Sequence, residues 1–356
     1  MKHVHIPCVG GGECPTLVII PGWNESYLKY QEVFYDIHEA FNGKINIHCM
    51  DHCSQGLSGR WCSHQDRGWV SDFMDYVKDV EFFTKNVILP TNPKTTNSPL
   101  WILAHSMGGL VSSYVVERNP GLYEKVIFSA PMFDVAGLPG VPIQALRALA
   151  FVGTTFLGFG QNFTPGAGPK TTHKVDDGDK NECSSYQPRL DNWNEVRLHN
   201  PTISVIGGVT WGWLHTSQYW RRRTDTLTIE QTQAFEESDI MVMDCEHECI
   251  VSKEAFHEFA GVVRTAEVFH VENSKHEAFF EEDIVRDKCL DACISFFKAP
   301  KKKMGKRKLG APFPKLIRGM VDFMFWLFMI LLMILTALAM FFSCKFVGGK
   351  VVSLVM

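Results

Sequence analysis

Ser106 stands in Ala104-His105-Ser106-Met107-Gly108-Gly109, a short run with small residues on both sides of one hydroxyl. An apolar stretch precedes it and a helical pattern follows. That is the setting of a nucleophile elbow, G-x-S-x-G, with Ala104 in the first Gly position. Such a turn lifts the hydroxyl to a strand end, at the positive pole of the next helix. A serine at its free pKa is a poor nucleophile, so it needs a base that a carboxylate orients. In the elbow arrangement the chain order is Ser, then Asp/Glu, then His.

The chain has 14 His, so most must be structural. His276 is the best base, in a loop after the last strand pattern and before the last helix. His270 falls inside that strand and His257 inside a helix, while His105 reads as packing beside the serine. For the acid, the loop after 240–244 offers Asp244, Glu246 and Glu248, and Glu248 is preferred because it lies a few residues past the strand end. Backbone amides of Trp23 and Met107 are expected to hold an oxyanion. Cys245-Glu246-His247-Glu248-Cys249 has the look of a metal cluster. No second Cys/His pair lies at finger spacing, so no metal is expected. No organic cofactor is implied either.

These residues must be positioned by alternating elements. Thr16–Ile20, Lys44–Met50, Leu100–Ala104 and Lys125–Ser129 read as strands. Between them, 27–41 carries Tyr27, Tyr30, Val33, Phe34, Ile37 and Phe41 on one helical stripe, and 68–87 and 108–118 also read as helices. The rhythm breaks from about 134 to 237 and resumes at 240–244, 253–261, 266–271 and 283–297. Strands alternating with helices imply a mainly parallel central sheet covered on both faces, and the excursion reads as an inserted helical cap. The cap is aromatic; Phe156, Trp211 and Trp213, with Phe151 and Phe159, are candidates to line an apolar path.

From Ala299 onward ten Lys/Arg face a single acid, Asp322, so the tail carries about +9 and the body about −13 of a total of −4. An acidic body argues against nucleic acid as a partner. Val321–Phe342 is apolar but for Asp322, long enough to cross a bilayer. Eight Lys/Arg between 301 and 318 place the body on the cytoplasmic side of a single-pass, tail-anchored membrane protein. No signal peptide is visible, and the 11 Cys are read as reduced thiols. Cys344, beside the span, is a weak candidate for acylation. The expected organisation is a body over 1–298 with the cap at about 134–237, a basic linker over 299–319, the span over 320–344 and a short tail over 345–356.

Pro21-Gly22-Trp23-Asn24-Glu25-Ser26-Tyr27-Leu28-Lys29-Tyr30, Asp51-His52-Cys53-Ser54-Gln55-Gly56-Leu57-Ser58-Gly59-Arg60 and the elbow together resemble the monoacylglycerol lipase/lysophospholipase group of α/β-hydrolases, with the bacterial-type lysophospholipases nearest. Pro201-Thr202-Ile203, Gly207-Gly208 and the run from His276-Glu277 to Phe279-Phe280-Glu281 add to the likeness, which covers about 16–298. The resemblance implies an α/β-hydrolase fold, a fatty-acyl ester of a single-chain lipid as substrate, and Ser106, Glu248 and His276 as triad. Cys53-Ser54 stands where the group usually has Arg-Gly, and Glu248 where Asp is commoner. Two rival readings are a lipid acyltransferase using the same acyl-enzyme and a non-catalytic anchored scaffold.

Overall fold

The computed structural model describes residues 1–302, except 63, 94, 96–97, 136–142, 166, 170–180, 201–202, 204–205 and 221–226; for 143–147 and 218–220 it gives the helical backbone alone. The apolar run 321–342 lies outside the described residues. Among the described residues no helix is long and apolar enough to cross a membrane. The chain divides into two compact units, Met1–Gly137 with Ala150–Gly305, and Leu138–Leu149 with Lys306–Met356. The sheet and the site belong to the first.

Seven strands form one sheet: β1 (Lys2–Ile6), β2 (Thr16–Ile20), β3 (Asn46–Asp51), β4 (Leu100–His105), β5 (Lys125–Ser129), β6 (Asp239–Cys245) and β7 (Ala266–Val271), in the order β1-β3-β2-β4-β5-β6-β7. All neighbours are parallel except β1, which pairs antiparallel with β3. Every residue of β2 to β6 is buried. That is why β2, β4 and the middles of β5 and β6 read as apolar runs rather than as alternation, whereas β3 buries Asn46, His48 and Asp51 among its apolar residues. β1 has no counterpart in the sequence reading. Its Lys2-His3-Val4-His5-Ile6 is mostly exposed at the sheet edge, so it carries no buried-strand signature.

The helices are α1 (Gln31–Ala40), α2 (Met74–Phe83), which runs through a π turn into the short α3 (Leu89–Thr91), α4 (Met107–Arg118), α5 (Ile143–Thr155), α6 (Gln187–His199), α7 (Trp211–Trp220), α8 (Ile229–Phe235), α9 (Lys253–Val262) and α10 (Asp283–Lys298). Four of them, α5 to α8, fall between β5 and β6, which nevertheless pair directly from Lys125↔Asp239 to Ser129↔Met243. The segment is therefore an insertion that leaves the sheet register intact. The sequence reading started the second helix too early, at 68. Residues 68–73 are loop, and Gly68 there packs so closely on the Trp23 indole that a Cβ would lie 2.2 Å from it.

One expectation about the thiols is corrected. Cys8 and Cys14 are joined in a disulfide across the turn that leads from β1 into β2. The other described cysteines are free.

Candidate active site

The elbow is built by β4 running into α4. Ser106 has φ 50° and ψ −117°, a backbone state that side-chain-bearing residues rarely adopt. Such a residue costs on the order of 1–3 kcal/mol and persists where the surroundings over-determine it. Here Ser106 donates its amide to Ser129 O at 3.0 Å, and Ser106 O accepts from Gly109 at 2.9 Å and Met132 at 2.9 Å. The helix beyond comes so near the end of β2 that a Cβ on Gly108 would lie 2.3 Å from Ile20 O and 2.4 Å from Pro21 O. Only glycine fits. Gly22 is also tightly placed, since its Cβ would meet the Ser106 Cβ at 3.2 Å and the His105 Nδ1 at 3.0 Å. That close approach sets the Gly22-Trp23 backbone beside the hydroxyl. Met107 is the first residue of α4, and its amide is among those a helix cannot bond internally.

His276 and Glu248 come from different strand ends. The His276 Nδ1 lies 2.7 Å from Glu248 Oε2, with both side chains buried. Glu248 Oε1 accepts the amides of Ile250 at 2.7 Å and Val251 at 3.1 Å, so the carboxylate is locked by its own loop. Burial pushes its pKa up, but the His276 hydrogen bond and charge, with those amides, outweigh burial and hold it below the usual carboxylate range. A carboxylate on Nδ1 selects the imidazole tautomer with Nε2 as acceptor, the state a general base requires.

The other two acids are used elsewhere. Glu246 is exposed and takes the Asn273 amide at 2.6 Å. Asp244 meets Lys253 at 2.8 Å and His257 at 2.9 Å, with His270 at 3.4 Å. The two histidines set aside in the sequence thus share one carboxylate on the far side of the loop. The run 245–249 does not gather as a cluster: Cys245 is buried and donates to His276 O at 3.8 Å, whereas Cys249 is exposed.

His105 departs from its reading as packing. Its Nδ1 faces Glu25 Oε2 at 3.3 Å, and its ring lies 4.8 Å from that of His276. Glu25 also accepts from Tyr30 Oη at 2.7 Å, from Lys29 Nζ at 2.8 Å and from the Gly22 amide. Lys29 continues to Glu277 Oε1 at 2.5 Å. Burial raises the Glu25 pKa, but Lys29 and then His105 reverse this and hold it well below the usual range. This buried chain joins the Gly22-Trp23 loop to the His276-Glu277 loop. Sequence reasoning missed it, although Asn24-Glu25-Ser26-Tyr27-Leu28-Lys29-Tyr30 was singled out for its resemblance.

Of the cap aromatics, Trp213 is buried with its ring 4.2 Å from Trp23, and Trp211 covers Gly153. Phe156 is 65% exposed and meets Phe151 edge-on.

A family model for serine aminopeptidases, S33, matches residues 13–283. The chain belongs to this family. Lysophospholipase L2 of Escherichia coli K12 is 29% identical over 310 residues, which cover 82% of this chain and 83% of that protein. A probable lysophospholipase L2 of Haemophilus influenzae is 25% identical over 281 residues, 79% of this chain and 82% of that one. The fold is similar to a soluble variant of Saccharomyces cerevisiae monoglyceride lipase in complex with a substrate analog, at TM-score 0.64 and 14% identity, covering 83% of this chain and 90% of that one. It is also similar to a thermostable carboxyl esterase from Bacillus coagulans, at TM-score 0.61 and 14% identity, over 83% and 93%. The resemblance to the monoacylglycerol lipase/lysophospholipase group is borne out at the level of this S33 family. The S33 chain is an α/β-hydrolase and a carboxylic ester hydrolase.

Proposed function

We propose that this chain cleaves fatty-acyl esters of single-chain lipids, lysophospholipid or monoacylglycerol, through an acyl-enzyme on Ser106. The observation that carries this is the buried Glu248–His276 pair at 2.7 Å, whose imidazole lies 4.8 Å, ring to ring, from His105, the residue before the strained Ser106. In the reaction His276 Nε2 takes the Ser106 proton as Oγ attacks the acyl carbonyl. Glu248 keeps the imidazole oriented and stabilises its charged form. The amides of Trp23 and Met107 receive the oxyanion, His276 returns the proton to the departing alcohol, and water releases the fatty acid. The lysophospholipase relatives support the single-chain lipid substrate.

The catalytic body is taken as residues 1–298, with the cap over about 134–237, and is held on a membrane by the linker at 299–319 and a span within 320–344. This anchor rests on the sequence alone, on 22 residues with one charge and the eight basic residues before them. A tether suits the chemistry because single-chain lipids partition into membranes.

The test is a lipid-panel hydrolysis assay on the full chain in detergent, read by the mass of released acids, beside fluorophosphonate labelling. Fatty acid release that Ser106→Ala abolishes, together with loss of the label and an unchanged melting temperature, is the expected result. Unchanged release by Ser106→Ala ends the proposal.

A further inference from the structure

A cavity of about 530 Å³ lies between the loop at 64–71, the end of α5 with the loop after it, and α7. Its basic lining is His64, Arg67 and His215, and its neutral polar lining includes Thr154, Gln161 and Asn162. No carboxylate is among its described lining residues. Two polar atoms of that lining, Arg67 Nε and Thr154 Oγ1, are shut off from solvent and have no hydrogen-bond partner among the described residues. Buried donors without acceptors are costly and call for an explanation. Arg67 is also fixed in place, its guanidinium 5.4 Å above the Phe163 ring, while Phe163 bridges to Thr210. Gln161 spends its Oε1 on the Cys62 thiol at 3.3 Å, which leaves its amide protons as the free end.

The cavity is therefore rich in donors, with the Arg67 guanidinium as the permanent charge among its described lining residues and no built-in acceptor of like strength. A phosphate group is the complement: it carries acceptors only, and a planar guanidinium matches two of its oxygens. The position fits a substrate as well. Gly68, between Arg67 and Trp69 of this lining, packs on Trp23, and Trp213, beside Gly212 of the lining, lies 4.2 Å from the same indole. The cavity thus shares its inner wall with the loop beside Ser106. A lysophospholipid places its phosphate one glycerol away from the scissile ester.

We propose that this cavity is a phosphate subsite, with Arg67 as its charged ligand and Thr154 as a second donor, and that it selects phosphate-bearing single-chain lipids over neutral ones. The substrate part of this rests on the ester-hydrolase reading above; the phosphate site itself does not.

The test uses the full chain in detergent. The kcat/KM for lysophosphatidylcholine divided by that for monoacylglycerol of equal chain length is compared in wild type, Arg67→Gln, Arg67→Lys and Thr154→Val. A ratio at least tenfold lower in Arg67→Gln, partly restored in Arg67→Lys and lowered less in Thr154→Val, is expected. Titration calorimetry of Ser106→Ala with inorganic phosphate and with glycerophosphocholine reads the site without catalysis. Binding of either that Arg67→Gln in that background removes supports it. Phosphate binding with an unchanged ratio keeps the site but assigns it to free phosphate, overturning the substrate half. Should Arg67→Gln fail to fold, Thr154→Val decides by the same two measurements. Absence of hydrolysis of any lipid refutes the ester reading and leaves calorimetry to judge the cavity. No binding of either probe, with an unchanged or equally lowered activity on both lipids, overturns the proposal.

Discussion

The imidazole Nε2 of His105 donates to the backbone carbonyl of His276, 3.2 Å away, across 171 residues of sequence. Its other nitrogen faces the Glu25 carboxylate. Carbonyl and carboxylate are both acceptors, an arrangement that favours the doubly protonated ring, the imidazolium. The residue beside the proposed nucleophile thus ties down the loop that bears the proposed base.

Glu25→Gln leaves that imidazolium and Lys29 short of a buried counter-charge. Breaking a buried pair in this way costs about 3–5 kcal/mol. The expected result is a urea midpoint lowered accordingly, with the slope unchanged.

The same pair fixes a pH profile. Burial lowers the His105 pKa, but Glu25 outweighs it and the net shift is upward. A raised pKa gives stability that is fully present below the ordinary histidine value and lost as pH rises through the folded value. Glu25, depressed, contributes stability present above the ordinary carboxylate value and lost as pH falls through its lowered one. Urea midpoints should therefore decline above neutrality in the wild type. In Glu25→Gln that alkaline decline should disappear; a parallel decline in both proteins would remove His105 from the account.

Glu248→Gln keeps the shape of the side chain but removes the charge that stabilises His276. We expect kcat to fall by about 10³- to 10⁴-fold with little change in KM. Glu246→Gln, on the same loop, and Asp244→Asn, near the end of β6, are bonded elsewhere and should stay within about twofold. Steady-state hydrolysis of a soluble short-chain ester reads all three.

Glycine tolerates the backbone state that Ser106 is forced into. Ser106→Gly should therefore be inert as an esterase yet more stable by about 1 kcal/mol, seen as a raised melting temperature. A drop in melting temperature would mean that the hydroxyl, not the turn, governs local stability.

The anchor is tested with the full chain. Leu332→Arg places a charge at the middle of the apolar run, at a cost of about 2.5–3.5 kcal/mol for a spanning helix. The wild type should resist carbonate extraction from membranes, and the variant should be released in part. Equal extraction of both would remove the span.

Much of the architecture was legible because β2 to β6 are buried on both faces, and a run such as Thr16–Ile20 or Lys125–Ser129 stands out by hydropathy alone. The elbow was legible because its residues are contiguous in the sequence, although the atoms that require Gly108 and Gly109, on Ile20, Pro21 and Pro131, are distant in it. Elsewhere the pattern was silent. β1 exposes most of its residues, and the alternation of half-buried Val4 and Ile6 is too short to mark a strand. His105 looked like packing because its partners, Glu25 and His276, lie 80 and 171 residues away. No window on the sequence could bring them together. The choice of Glu248 over its neighbours followed from the strand end, but its amide partners at 250 and 251 emerged only with the folded loop.

The direct pairing of β5 with β6 also bears on how the protein is made. Ser129 leaves the ribosome more than a hundred residues before Met243, the neighbour it needs in the sheet. The nascent chain must wait with the inner edge of a half-built sheet exposed, because closing so large a loop is slow. The same gap is where added length disturbs the sheet least, because the register of β5 on β6 does not depend on what lies between them. Segments can be lengthened or exchanged between those two strands and leave the register of the sheet, and the residues at its strand ends, as they were.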